Sequence, residues 1–101
     1  MLSFLKKLFG TAPAVDYTSL VNNGAQIVDV RSPGEYQSGH IKGSINIPLQ
    51  ELGNKLNMLD KSKPIITCCA SGMRSASAKS LLLQKGFSLV YNGGGWASLQ
   101  K

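Results

Sequence analysis

The sequence predicts an α/β domain, a parallel sheet covered by helices on both faces. Short β-branched runs alternate along the chain with segments whose apolar residues recur at helical spacing, the order expected when each strand is followed by a helix that returns over the sheet. With 101 residues, 43% hydrophobic and 16% charged, the chain has enough apolar material for one core and no more. It contains no internal repeat and no low-complexity tract.

In chain order, Met1 to Gly10 carries apolar residues at Leu2, Phe4, Leu5, Leu8 and Phe9 with Lys6 and Lys7 between them, the pattern of a short amphipathic helix. It lacks the long apolar run of a secretory signal and the roughly 20 apolar residues of a membrane span. The expectation is a helix and linker over residues 1–12 that docks on its own domain, residues 13–101, without membrane contact by residues 1–9. Asp16 is placed to cap a helix from Tyr17 to Asn22, stopped by Asn23-Gly24. Ala25 to Val30 reads as a buried strand. Ser32-Pro33 opens a short helix running to about Ser38, because serine caps and proline suits the first helical position. Ile45 to Pro48 reads as a brief extended segment, and Leu49 to Leu59, with leucines at 49, 52, 56 and 59, as a helix. Pro64 to Cys68 is a second β-branched strand. Arg74 to Gln84 reads as a helix, Ser88 to Tyr91 as the last strand, and Gly93 to Gly95 with Trp96 as a tail.

Charge and cysteine usage narrow the functional classes. The net charge of +6 comes from 11 basic residues against 5 acidic ones, and nine of the basic residues are lysines scattered along the chain. That suits solubility and attraction of small anions rather than a nucleic-acid surface, which wants clustered arginines and aromatics. Cys68 and Cys69 are adjacent, and a bond between sequence neighbours strains the backbone and staples nothing distant. Free thiols point to a reducing compartment, and hence to a cytoplasmic location.

The stretch Thr67-Cys68-Cys69-Ala70-Ser71-Gly72-Met73-Arg74-Ser75 places a thiol where a strand turns into a helix, the region beyond the carboxyl ends of strands where open α/β sheets bind ligands. The first N–H groups of the helix point back over the loop and carry about half a positive charge. Small residues at Ala70, Ser71 and Gly72 let the loop amides turn inward as an anion nest. A thiol held there ionises below its free pKa of ~8.5, with Arg74 adding a full charge. Strand alternation then divides the two cysteines: Cys68 ends the strand on the apolar side as a small buried residue, and Cys69 opens the loop as nucleophile. His40, the one histidine, lies between Gly39 and Ile41 and reads as structural.

Two stretches resemble the rhodanese-like sulfurtransferase family, in particular its single-domain members. Ile27 to Pro48, IVDVRSPGEYQSGHIKGSINIP, is similar to the family's DVR, E-[YF], GHI-x-G-[AS]-x-N-[IV]-P signature. Cys69 to Ser75, CASGMRS, is similar to its C-x-S-G-x-R-S active-site loop. The resemblance implies a three-layer fold with a parallel sheet of four to five strands and a catalytic cysteine ending a central strand. It further implies that Cys69 takes the outer sulfur of a donor such as thiosulfate, holds it as a persulfide, and passes it to cyanide or a thiol. The loop residues Ala70, Ser71, Gly72, Met73 and Ser75 would surround the sulfur, and Arg74 would offer paired donors to a sulfonate; neither metal nor organic cofactor is implied. Asp29, Arg31 and Glu35 look like an ion-pair set holding the turn after the first strand, and Trp96 like a packing residue. Two other readings use the same residues. One is a persulfide carrier serving a protein partner in a sulfur relay, with little thiosulfate turnover. The other is a phosphatase with Cys68 as nucleophile, since counting from Cys68 gives Cys-x5-Arg; but Thr67 stands where such enzymes usually have histidine, and the loop carries no acid for the leaving oxygen.

Overall fold

A computed structural model describes residues 15–99 of the chain. The expected helix within residues 1–12 lies outside the described residues. Four parallel strands form one sheet in the order β2-β1-β3-β4: β1 Gln26–Asp29, β2 Ile45–Asn46, β3 Ile65–Cys69 and β4 Val90–Gly95. Around them run helices α1 Tyr17–Asn22, α2 Pro33–Gln37, α3 Leu49–Leu52, α4 Met73–Gln84 and α5 Trp96–Leu99, with a 3-10 turn at Leu56–Met58.

The sheet is covered on both sides, as the alternation of strands and helices predicts. On one face Val28, Val30, Ile65 and Val90 pack with Leu52, Ala78 and Leu82 of α3 and α4, and Phe87 closes the same cluster. On the other face Ile27, Ile66 and Cys68 pack beneath Tyr17 and Leu20 of α1, Trp96 and Leu99 of α5, and Ile41. Central β3 is buried at all five positions. Among the described residues no helix is long and apolar enough to cross a membrane.

Several boundaries differ from the sequence reading, among them the expected tail at Trp96, which forms a helix to Leu99. The helix expected over Leu49 to Leu59 stops at Leu52, because Gly53-Asn54 is a poor helical pair, and the chain resumes as a 3-10 turn. All four leucines still face one cluster, so their spacing reports the buried face rather than a continuous helix. The last strand runs through Asn92 and the glycines to Gly95 instead of ending at Tyr91. Glycine is depleted in strands and hides them from propensity, but here it is required. Between Thr67↔Asn92 and Cys69↔Gly95 the register slips by one residue, and the extra residue is accommodated with Gly94 at φ 77°. The first strand is shorter at both ends, Gln26–Asp29. Finally β3 reaches Cys69 and α4 begins at Met73, so the connecting loop is only Ala70-Ser71-Gly72.

The turn after β1 is held by charge. Asp29 and Arg31 are 0% and 4% exposed. Arg31 Nε donates to both Asp29 oxygens at 2.9 and 3.0 Å and Nη2 to Oδ2 at 2.7 Å. Its remaining donors reach the carbonyls of Gly39, at 2.7 Å, and Glu35, at 3.3 Å. The guanidinium lies 4.7 Å over the Trp96 ring, so Trp96 is a packing residue here. Glu35 is not part of this cluster through its side chain. It closes the capping box of α2 with Ser32 and extends toward α4.

Candidate active site

The carboxyl end of β3 delivers Cys69 beneath the short loop. Gly72 makes the turn possible: it adopts φ 105°, a conformation that side chains disfavour, and serves as the N-cap of α4. The turn folds the loop back over the sulfur. Gly72 N–H donates to Cys69 Sγ at 2.9 Å and Ser75 N–H at 3.4 Å, while Ser75 Oγ lies 3.5 Å away. Cys69 itself is 1% exposed, so the sulfur lies under the loop instead of standing open at its start. Ala70, Ser71 and Met73 are exposed around it, Met73 at 80%.

Opposing influences act on this thiol. Burial is the largest single one and raises its pKa; the hydrogen bond with the Ser75 side chain and those from the N–H groups of Ser75, Gly72 and Ser71 together outweigh it, and the pKa is lowered. No neighbouring base is involved. Cys68 shows the reverse. It points to the opposite face, among Ile27 and Ile66, and burial followed by the negative charge of Asp29 pushes its thiol up to about 12, with Arg31 opposing only in part. The two adjacent cysteines, both buried, therefore differ in face, in the hydrogen bonds on the sulfur and in ionisation. A small alkylating reagent at pH 8 is expected to modify Cys69 alone in the folded protein, with Cys68 reacting only after unfolding or as the pH nears 12. Peptide mapping of the labelled sites at both pH values checks this, and equal labelling at pH 8 would contradict it.

Two residues that sequence reasoning did not assign to the site belong to it. Asn92 Oδ1 accepts the Ser75 hydroxyl at 2.6 Å and the Gly94 N–H at 2.9 Å, and its Nδ2 approaches the Gly72 carbonyl at 3.5 Å. It thus fixes the hydroxyl beside the sulfur and joins the bulged β4 to the loop. Thr67 adds a second tie, its hydroxyl donating to the Ser75 carbonyl at 2.8 Å. In the sequence, Asn92 before three glycines looks like a turn residue; only strand pairing brings it opposite Thr67. The other is Glu35. Its carboxylate receives Arg74 Nη1 at 2.7 Å and Nη2 at 3.0 Å, a two-point pairing across 39 residues. Arg74 is placed beside the loop as expected, but both outer nitrogens point to Glu35.

The structure brings Cys69, the loop residues, Ser75 and Arg74 together and leaves Cys68 and His40 apart from them. His40 stacks on Tyr36 at 3.8 Å between ring centres, and its Nδ1 lies 2.8 Å from the Tyr36 carbonyl. Among the described residues no set of three or more His, Cys, Asp or Glu side chains is grouped to hold a metal ion.

Comparison with known proteins gives the same picture. The Rhodanese-like domain family profile matches residues 14–101. The chain is 40% identical over 73 residues to thiosulfate sulfurtransferase GlpE of Pseudomonas paraeruginosa, covering 72% of this chain and 66% of that protein. It is 40% identical over 68 residues to YqhL of Bacillus subtilis, covering 67% of this chain and 54% of the relative. The match thus spans only about half to two thirds of these relatives' length. Among solved structures, a rhodanese with anions from E. coli superposes with a TM-score of 0.69 at 36% identity, covering 73% of this chain and 89% of the other. By its sequence match, its parallel sheet and these structural likenesses, the chain belongs to the rhodanese-like domain family.

Proposed function

We propose that the protein is a sulfurtransferase that moves a sulfane sulfur from a donor to a thiol or cyanide acceptor by way of a Cys69 persulfide. The observation that carries this reading is the set of N–H donors, Gly72 at 2.9 Å and Ser75 at 3.4 Å, converging on a thiol whose pKa is lowered. Sulfur transfer needs a nucleophilic thiolate and a place for a second sulfur, and no acid or base to shuttle protons to a poor leaving group. Donors fixed in advance around Cys69 supply the first without reorganisation. The names carried by relatives such as GlpE, thiosulfate sulfurtransferases, support the same reaction class.

In the first half-reaction the Cys69 thiolate attacks the outer sulfur of the donor. A new sulfur–sulfur bond forms at Cys69 as the donor's own breaks, and sulfite, from thiosulfate, or a thiolate, from a persulfide, leaves with the bonding pair. In the second half-reaction cyanide or a thiolate attacks the outer sulfur of the persulfide, and Cys69 departs as thiolate, restored. The loop amides stabilise that anion at both ends of the cycle. The phosphatase alternative finds no support in the geometry, because Cys68 is on the far face of the sheet with its thiol pushed up to about 12.

The reading is tested by intact mass spectrometry of the reduced protein after addition of thiosulfate or glutathione persulfide. A gain of one sulfur atom, reversed by cyanide with release of thiocyanate, is expected. Failure to gain sulfur from either donor would overturn it.

A further inference from the structure

Resting on the sulfurtransferase reading, we propose that Glu35 sets the choice of sulfur donor: by holding Arg74 in a two-point ion pair it makes the site favour persulfides without a sulfonate over thiosulfate. The only guanidinium beside the loop has both outer nitrogens on the Glu35 carboxylate, at 2.7 and 3.0 Å. Both side chains are 39% exposed, and a pair that open is ordinarily weak and easily parted. This one is held in place from the other side. Glu35 Oε1 also accepts the Ser32 N–H at 3.1 Å and the Ser32 hydroxyl at 3.0 Å, so the carboxylate is fixed at the start of α2 before Arg74 reaches it. The carboxyl is held at about pKa 2, chiefly by Arg74, so it is charged whenever the thiolate is.

Charge counting at the mouth then disfavours a dianion. The Cys69 thiolate contributes one negative charge, the start of α4 about half a positive one that is spent on that sulfur, the Glu35–Arg74 pair none, and the side chains of Ala70, Ser71, Gly72 and Met73 none. The Gly72 and Ser75 amides are directed at the sulfur itself. A sulfonate entering here meets a compensated cation and a rim formed in part by the uncharged Met73 side chain. A persulfide without a sulfonate brings less negative charge and can rest its apolar part on that rim. Either donor loses only its outer sulfur to Cys69, so the chemistry is the same and the discrimination is electrostatic.

Glu35→Gln is a suitable probe, since glutamine also completes a capping box and the change removes the charge with little alteration of shape. The measured quantity is the initial rate of sulfur gain at Cys69 by intact mass, from thiosulfate and from the hydropersulfide of 2-mercaptoethanol. The ratio of the thiosulfate rate to the persulfide rate is expected to rise about tenfold in Glu35→Gln, as for one unit charge freed a few Å away in partly screened surroundings. It should return toward the wild-type value in Glu35→Gln/Arg74→Gln. Met73→Lys, at an exposed position independent of the α2 fold, should raise the ratio in the same direction. A ratio that is unchanged or lower in Glu35→Gln, whatever Met73→Lys does, would overturn the assignment of donor choice to Glu35. Loss of sulfur gain from both donors in the wild type would overturn the sulfurtransferase reading instead.

Discussion

Cys69→Ser is expected to lower sulfur transfer by at least about a thousandfold, the scale seen when a covalent nucleophile is removed, while Cys68→Ser retains most of it. The asymmetry follows from geometry at two adjacent positions. Cys69 lies under the loop with the N–H groups of Gly72 and Ser75 on its sulfur, and serine there offers a hydroxyl that these amides cannot ionise at neutral pH. Cys68 is 0% exposed on the other face, so its replacement tests packing more than chemistry. Serine at position 68 buries a hydroxyl among Ile27 and Ile66, and a modest loss of stability, about 1 to 3 kcal/mol, is expected without loss of the reaction. Rates of thiocyanate formation and urea midpoints for the two variants separate these effects. Sulfur transfer that survives Cys69→Ser and disappears in Cys68→Ser would exchange the roles assigned to the two residues.

How far the sequence disclosed this site depended on whether each relation was local. The caps of α1 and α2, the apolar alternation that separates Cys68 from Cys69, and the small residues of the turn are read within a few positions of one another. The structure places each of them close to where that reading put it. The strand order β2-β1-β3-β4 follows only when parallel crossovers are added to the alternation of elements. Asn92 and Glu35 escaped because their partners are distant in sequence. The Ser75 hydroxyl is 17 residues from Asn92, and Arg74 is 39 from Glu35. Glu35 also satisfies a local rule completely, as the third residue of a capping box, and a residue with one sufficient explanation does not advertise a second. The glycines of β4 hid only the extent of the strand, since the resemblance to the family already implied that they let the backbone pass close to the loop. They lower strand propensity, yet Gly95 brings β4 so near the loop that a Cβ there would sit 3.0 Å from the Ala70 carbonyl oxygen.

The Asp29–Arg31 pair is where the largest loss of stability is expected. Arg31→Met would leave a carboxylate at 0% exposure without its cation, and removing one member of a buried pair ordinarily costs about 3 to 5 kcal/mol. Small domains have total stabilities of about 5 to 15 kcal/mol, so the variant should unfold at much lower urea than the wild type. The penalty comes from the abandoned charge more than from the lost attraction, and this can be separated experimentally. Asp29→Leu/Arg31→Met removes both charges and should recover part of the loss. Recovery will be incomplete, because Arg31 also binds the carbonyls of Gly39 and Glu35 and stacks on Trp96, contacts that methionine does not replace. Those carbonyls belong to the segment that presents the Glu35 carboxylate to Arg74. Arg31→Met should therefore also loosen Arg74 and move the thiosulfate-to-persulfide ratio upward at temperatures where the variant is still folded. An unfolding free energy from urea denaturation within about 1 kcal/mol of wild type would show that the buried carboxylate does not depend on Arg31. A large stability loss with an unchanged donor ratio would show that the clamp on the turn and the hold on Arg74 are independent.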